Sequence, residues 1–409
     1  MEKGFSRYLD EEGTLRYMRV YRYYRSLIEE GKLEAGAKLP SIRTCSIQLN
    51  LSRTTVETAY LMLAAEGYIA AKPQSGYYVT NLGKTRRMES RQHKKEQRKE
   101  LLFDFSSARV DRESFRFEVW RRYVKSALRQ DERLLSYGEP QGEEELRMEL
   151  SRYLRRYRNV VCTPDQIVVG AGVQSLLHIL CPMVHERRQV LMNNESFHQG
   201  RTVFEDHGFL VSGIEASQKE LPADSIFYLT PSQITSWGGV MGIGERMKLM
   251  KEALEKNLLL IEDDYNSEFG YYSRPTPSLQ GLSGGKGVVY MGTFSRMLLP
   301  SIRMSFMVLP PELLPAYQKR GAFYNQTASK AEQIALCQFI RDGHLEAQIR
   351  KARRLYIQKA KLLCREIEEI FGEKATAHLG EAGFFVLAEI QTQLSGADIR
   401  KRAEQAGVG

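Results

Sequence analysis

The sequence predicts an α/β protein preceded by a small separate unit, on three observations. Between residues 103 and 409, short apolar runs without polar alternation recur between amphipathic stretches. That is the pattern of a largely parallel sheet covered by helices on both faces. Residues 12–80 instead carry helical periodicity followed by two strand-like runs. Residues 81–102 separate the two; from Lys84 to Glu100 they are polar and mostly basic, with almost nothing to bury, and read as a linker. A chain of 409 residues is also too long for one ordinary core.

The N-terminal elements follow from local signals. Arg16 to Glu30 reads as one helix closed by Gly31, and Tyr21, Tyr23 and Tyr24 read as its packing face. Gly36 to Pro40 is a turn, and Ser41 is placed to cap a helix from Ile42 to Leu49. After Asn50-Leu51, Ser52 caps a third helix that runs to about Glu66. Its capping box is only partial, because Thr55 lies in the third position and Glu57 lies too far along. Gly67 to Val79 reads as two strands around a turn. Helix–turn–helix plus a two-stranded wing is an architecture that binds DNA.

In the larger zone, strands are expected at 166–170, 189–193, 210–214, 225–230, 258–263, 287–292 and 305–309. Helical patterns lie between several of them, for example from Glu245 to Lys256. The net charge of +9 favours a polyanionic partner. The apolar runs are far shorter than a membrane span, and the N-terminus lacks the apolar stretch of a signal peptide. The expected location is cytoplasmic. The five cysteines are scattered without metal-ligand spacing, so neither a disulfide framework nor a metal site is expected.

Motifs sharpen both readings. Lys38-Leu-Pro-Ser-Ile-Arg43, Leu51-Ser-Arg-Thr-Thr-Val56, Ala65-Glu-Gly-Tyr68 and Ser75-Gly-Tyr-Tyr-Val79 resemble the winged helix of GntR-type regulators over nearly all of residues 12–80. The resemblance implies that Arg43, Ser52, Arg53, Thr54 and Thr55 meet double-stranded DNA, with Gly76 at the wing tip. Chemistry agrees: arginine reads guanine edges bidentately, and hydroxyls and helix N-terminal amides suit phosphates.

In the second zone, Tyr137-Gly-Glu-Pro-Gln-Gly, Val169-Gly-Ala-Gly-Val-Gln174, Ile261-Glu-Asp-Asp-Tyr-Asn-Ser-Glu-Phe269 and Gly292-Thr-Phe-Ser-Arg296 occur in that order. They resemble the fold-type I, aminotransferase class I/II domain of MocR-type regulators, a branch of the GntR family. The resemblance implies a seven-stranded, mostly parallel sheet and a pyridoxal 5'-phosphate site. Val173 and Gln174 would offer amides to the phosphate at a helix N-terminus. Thr293, Ser295 and Arg303 would complete that cup. Asp263 would face the pyridine nitrogen and Tyr265 the ring oxygen. Phe197 falls where the family stacks an aromatic on the ring, and Tyr137 would reach the phosphate of a neighbouring subunit.

The sequence departs from the family at the position that matters most. Arg296 stands where a lysine forms the Schiff base. Guanidinium stays protonated and has no free lone pair to attack an aldehyde. Ser301 replaces a usual glycine, and Gln233, Ile234 and Ser236 replace His, Gln and Pro of a family segment. Relatives also continue beyond the position of Gly409, so the small domain is expected to be incomplete. The reading that results is a DNA-binding transcription regulator and homodimer. Its aminotransferase-like domain has lost covalent chemistry but can hold pyridoxal phosphate noncovalently, or sense an amino-acid or pyridoxal-type effector. The alternative is a pyridoxal-phosphate-dependent aminotransferase with an unusual loop, or a Lys-to-Arg variant of one. Lys286 and Lys319 are near in sequence, but nothing in the sequence places either in the site.

Overall fold

Serine caps set the N-terminal helices. In this computed structural model, described at residues 15–81, 102–105, 109–192, 197–213, 221–232, 239–265, 267–270, 276–321, 323–380 and 385–409, α1 spans Arg16–Glu29, α2 Ile42–Gln48 and α3 Arg53–Ala65. Ser41 Oγ accepts from Thr44 N at 3.1 Å and Ser52 Oγ from Thr55 N at 3.2 Å. Each satisfies an amide that the first helical turn leaves without a partner. Strands β1 (Ile69–Lys72) and β2 (Gly76–Val79) pair antiparallel, Ile69 opposite Val79 and Lys72 opposite Gly76. The turn before α2 joins this hairpin: Leu39 N donates to Tyr77 O and Gly36 N to Val79 O, both at 2.9 Å.

Aromatic rings fill the small core. Tyr24 and Tyr60 meet edge to face at 5.5 Å, Tyr60 and Tyr77 at 5.2 Å. Val20, Cys45, Val56, Leu63 and Ile69 pack around them. Tyr21, Tyr23 and Tyr24 are buried, in the packing role read from sequence. Tyr60 Oη keeps its hydrogen bond by donating to Pro40 O at 3.0 Å.

Contacts divide the chain into Met1–Glu100 and Leu101–Gly409. In the second unit, strands β3 (Ile167–Gly170), β4 (Gln189–Met192), β5 (Leu210–Gly213), β6 (Ile226–Leu229), β7 (Leu259–Asp264), β8 (Val288–Thr293) and β9 (Ser305–Val308) form one seven-stranded sheet in the order β3-β9-β8-β7-β6-β4-β5. All neighbours are parallel except around β9, which runs antiparallel to β3 and β8. Every expected strand is present. The expected ends Asn193 and Ile214 lie outside the described residues, as do Gln233, Ile234, Ser236 and nearly all of the basic linker. Several strand ends fall one residue inside the expected ones, at Ile167, Ile226, Leu229, Leu259, Val288 and Val308, and two run one residue beyond: β7 continues through Asp264 and β8 through Thr293.

Apart from the edge strand β5, the apolar runs are buried on both faces, as a covered parallel sheet demands. Along β7, Leu259 and Ile261 join a core with Leu176, Leu177 and Phe204, from α6 (Val173–Leu180) and α7 (His198–Asp206). Leu260, facing the other way, packs with Leu249 and Ala253 of α8 (Ile243–Glu255). A third core lies under α4 (Phe117–Ala127), α5 (Glu144–Arg158), α9 (Lys330–Arg341) and the start of α10 (His344–Phe371). Beyond α10, β10 (Ala375–Leu379) and β11 (Val386–Ile390) form a hairpin, followed by α11 (Gly396–Gln405).

Candidate cofactor site and nucleic-acid interface

In parallel sheets, ligands bind outside the carboxyl ends of the strands, where chain reversals leave a crevice. Here a cavity of about 280 Å³ is lined there by Gly172, Val173, Gln174, Phe197, Gln199, Thr293, Ser295, Arg303 and Ser305. Gly172, with φ 106°, turns the chain into α6, so the amides of Val173 and Gln174 stand at its open N-terminus. A Cβ at Gly172 would lie 2.5 Å from Arg303 Nη2, so only glycine admits the guanidinium there. Three hydroxyls knit the opposite wall. Ser305 Oγ donates to Thr293 Oγ1 at 2.9 Å, and Thr293 Oγ1 donates to Ser295 Oγ at 3.2 Å. Amides at a helix end, hydroxyls and a guanidinium together make a cup for a dianionic phosphate.

At the tip of β7, successive side chains point to opposite faces. Asp263 is 7% exposed and accepts a hydrogen bond from Tyr228 Oη. Its other oxygen, Oδ1, is buried and has no hydrogen-bond partner among the described residues. Burial pushes the Asp263 carboxyl up to about 6, against the lowering effect of Tyr228. Phe197 stacks on Tyr228 at 5.5 Å and 24° and also faces the cavity. Asp264, on the other face, accepts from Arg158 Nε and Tyr290 Oη, each at 2.6 Å. The Arg158 charge holds its carboxyl below the usual range despite burial.

Arg296 lies with its Cζ 5.5 Å from the centre of the Tyr265 ring, a cation–π contact. Burial lowers its guanidinium from the ordinary value, while Tyr265 and Tyr356 act in the opposite direction. Val173, Gln174, Phe197, Thr293, Ser295 and Arg303 thus share one cavity. Asp263 adjoins it through Tyr228 and Phe197, and Tyr265 lies with Arg296. Tyr137 is 99% exposed and does not line the cavity of its own chain. Lys286 and Lys319 are exposed and do not line it either. Sequence reasoning missed Tyr228, Gln199 and Ser305. Tyr228 sits in an unbroken apolar run, and only the β6–β7 pairing shows what its hydroxyl meets.

In the first unit, Arg43, Ser52, Arg53, Thr54 and Gly76 are exposed and Thr55 is half-exposed. Ser52 through Thr55 form the first turn of α3, the turn that a recognition helix presents to a major groove. Gly76 has φ 108°, a conformation L-residues avoid, where the wing turns back.

Fold and site together define a winged helix–turn–helix regulator carrying an aminotransferase-type domain. The family model "Bacterial regulatory proteins, gntR family" matches residues 16–79, and "Aminotransferase class I and II" matches residues 100–406. The chain belongs to the MocR type of GntR-family transcription regulators. The HTH-type transcriptional regulator YdeL of Bacillus subtilis is 34% identical over 96% of this chain and 88% of its own length. The probable rhizopine catabolism regulatory protein MocR of Rhizobium meliloti is 27% identical over 96% and 85%. Among solved structures, a kynurenine aminotransferase of Pyrococcus horikoshii superposes with a TM-score of 0.64 over 76% of this chain and 81% of that one, at 19% identity. That likeness concerns the fold; the Pyrococcus enzyme is in complex with PMP.

Proposed function

We propose that the chain reads a double-stranded operator in the cytoplasm with paired winged helices, and that its aminotransferase-like domain supplies the homodimer and a noncovalent ligand site. Arg53 and Arg43 read base edges, while Ser52, Thr54, Thr55 and the amides at the start of α3 hold phosphates. Gly76 lets the wing approach the backbone. Two copies present two heads to repeated half-sites. Tyr137, exposed on its own chain, reaches the phosphate cup of the partner copy.

The observation that carries the ligand reading is the buried, unpartnered Oδ1 of Asp263 beside an intact phosphate cup. A buried acceptor without a donor is costly and marks a place where a donor belongs. The protonated ring nitrogen of pyridoxal phosphate is such a donor. Val173, Gln174, Thr293, Ser295 and Arg303 would hold its phosphate, Phe197 its ring face and Tyr265 its ring oxygen. The cofactor supplies an aldehyde and an electron-withdrawing ring. Arg296 cannot bond to that aldehyde, so the ligand acts as an effector. It influences DNA binding only through different affinities for the competent and incompetent arrangements.

The test combines gel shifts on duplex probes with calorimetry using pyridoxal phosphate. The full chain binds an operator duplex, binds pyridoxal phosphate with one site per subunit, and incorporates none of it after borohydride treatment. Arg296→Lys makes the protein yellow in a form that borohydride fixes. Turnover of an amino donor and a keto acid by the parent protein, or indifference to all duplexes at low salt, overturns the reading.

A further inference from the structure

Across the tip of β7 from the phosphate cup lies a second cavity, of about 230 Å³. It sits between α5, the Ser267–Phe269 turn and α10, and is lined by Tyr153, Tyr157, Arg158, Glu268, Glu346 and Arg350. Two carboxylate oxygens in this lining, Glu268 Oε2 and Glu346 Oε2, are sealed from solvent and have no hydrogen-bond partner among the described residues. Two such orphans on one cavity are not what a finished interior shows. The cations that could neutralise them are mostly committed elsewhere. Arg158 is held by Asp264 at 2.6 Å and by Thr276 O at 3.2 Å. Arg353 spends its fork on the backbone oxygen of Glu268, with Nε at 3.0 Å. Arg350, by contrast, is exposed. The cavity therefore has an acidic floor, tyrosine walls and a basic mouth.

This polarity describes a small zwitterion. An ammonium group gains charge-assisted hydrogen bonds from the two carboxylates and an aromatic face from Tyr153 or Tyr157. A carboxylate at the other end meets the planar fork of Arg350. The volume suits a molecule well below drug size. A bare metal ion is disfavoured by the arginines in the lining. Burial, and then the charge of Asp264, push the Glu268 carboxyl up to about 7, so an incoming cation would restore its ionised form. We propose that this cavity binds a free α-amino acid, its ammonium on Glu268 and Glu346 and its carboxylate on Arg350.

The position gives the site leverage. Arg158 belongs to the cavity wall and pairs with Asp264, the residue next to Asp263 on the same strand. An amino acid would thus tie α10 to the strand tip that carries the cofactor carboxylate. Any coupling between the two ligands is reciprocal by linkage. Only this regulatory consequence rests on the function proposed above; the site itself stands on its own cavity.

Calorimetry and thermal shift on the full chain, with the twenty amino acids in turn, test it. At least one amino acid binds with one site per subunit and raises the melting temperature. Glu268→Gln and Arg350→Ala each weaken it tenfold or more, and so does replacing the amino acid by the amine that lacks its carboxylate. Arg303→Ala, in the phosphate cup, leaves it unchanged. If Glu268→Gln does not fold, Arg350→Ala at the exposed mouth decides alone. Binding by no amino acid overturns the proposal. So does binding lost in Arg303→Ala and kept in the cavity variants, which places the ligand in the cup. A protein that ignores operator duplexes and pyridoxal phosphate yet still binds the amino acid would sink the previous reading and leave this one standing.

Discussion

The first turn of α3 and the tip of β7 differ in how they hold the side chains assigned to ligands in the proposed function. On α3 the residues proposed to meet DNA, Ser52, Arg53 and Thr54, are exposed, while the core of that unit is built from Tyr24, Tyr60 and their neighbours. At the tip of β7 the carboxylate proposed to meet the cofactor and its neighbours are interior: Asp263, Asp264, Arg158 and Tyr228 are all buried. Apart from the cap residue Ser52, the exposed surface of α3 can therefore change without touching the fold, whereas a buried site is also part of the stability of its domain. The groups at that tip hold one another: Asp264 accepts from Arg158 and Asp263 from Tyr228.

The sharpest way to break this contrast is Arg158→Ala. It strands the Asp264 carboxylate in the interior, and breaking a buried pair costs about 3–5 kcal/mol. Chemical denaturation should show a loss of that size in the transition of the larger unit, with operator affinity measured at low temperature unchanged. A stability equal to the parent would mean that water reaches Asp264.

Next comes pH. Asp263 rises from 3.8 to about 6 on folding. Between those values the folded chain holds a proton that the unfolded chain has released, so stability falls as pH climbs through that window. The contribution is on the order of 3 kcal/mol. Asp263→Asn should flatten the slope of stability against pH from about 4 to 6 and make the protein more stable than its parent at neutral pH. An unchanged slope would show that the carboxyl is ionised throughout.

On the other side of the comparison, Arg53→Ala should weaken operator binding by about 1–3 kcal/mol, while its stability stays within about 0.5 kcal/mol of the parent. A variant that binds like the parent removes Arg53 from the recognition surface. The smallest effect belongs to Ser52→Ala, which does two things at once. Losing the cap costs about 1 kcal/mol of stability, and the same hydroxyl is expected on a phosphate. Gel shifts at several salt concentrations separate the two: the affinity loss should be uniform across probe sequences.

Much of this was legible in the residues. Period and punctuation placed the helices of the N-terminal unit, because Ser41, Ser52 and Gly31 are local signals acting within a few residues. All seven strands of the sheet could be read from unbroken apolar runs. That Val173, Gln174, Thr293, Ser295 and Arg303 share one cavity could be expected because the resemblance to the family brings those positions together. Less could be read where pairing decides. That β7 runs one residue further, to Asp264, depends on its partner Gly292 in β8. That Tyr228 supports Asp263 depends on a contact between side chains 35 positions apart. The second cavity was invisible for the same reason. Glu268 and Glu346 belong to distant segments, and nothing in either neighbourhood announces that both lose their water.

Gly172 is constrained twice over. Its φ of 106° strains any L-residue, and a Cβ there would begin 2.5 Å from the guanidinium of Arg303. Of the two obstacles only the guanidinium can move aside, so an alanine at this turn would both strain the backbone and swing the arginine away from the cavity it lines.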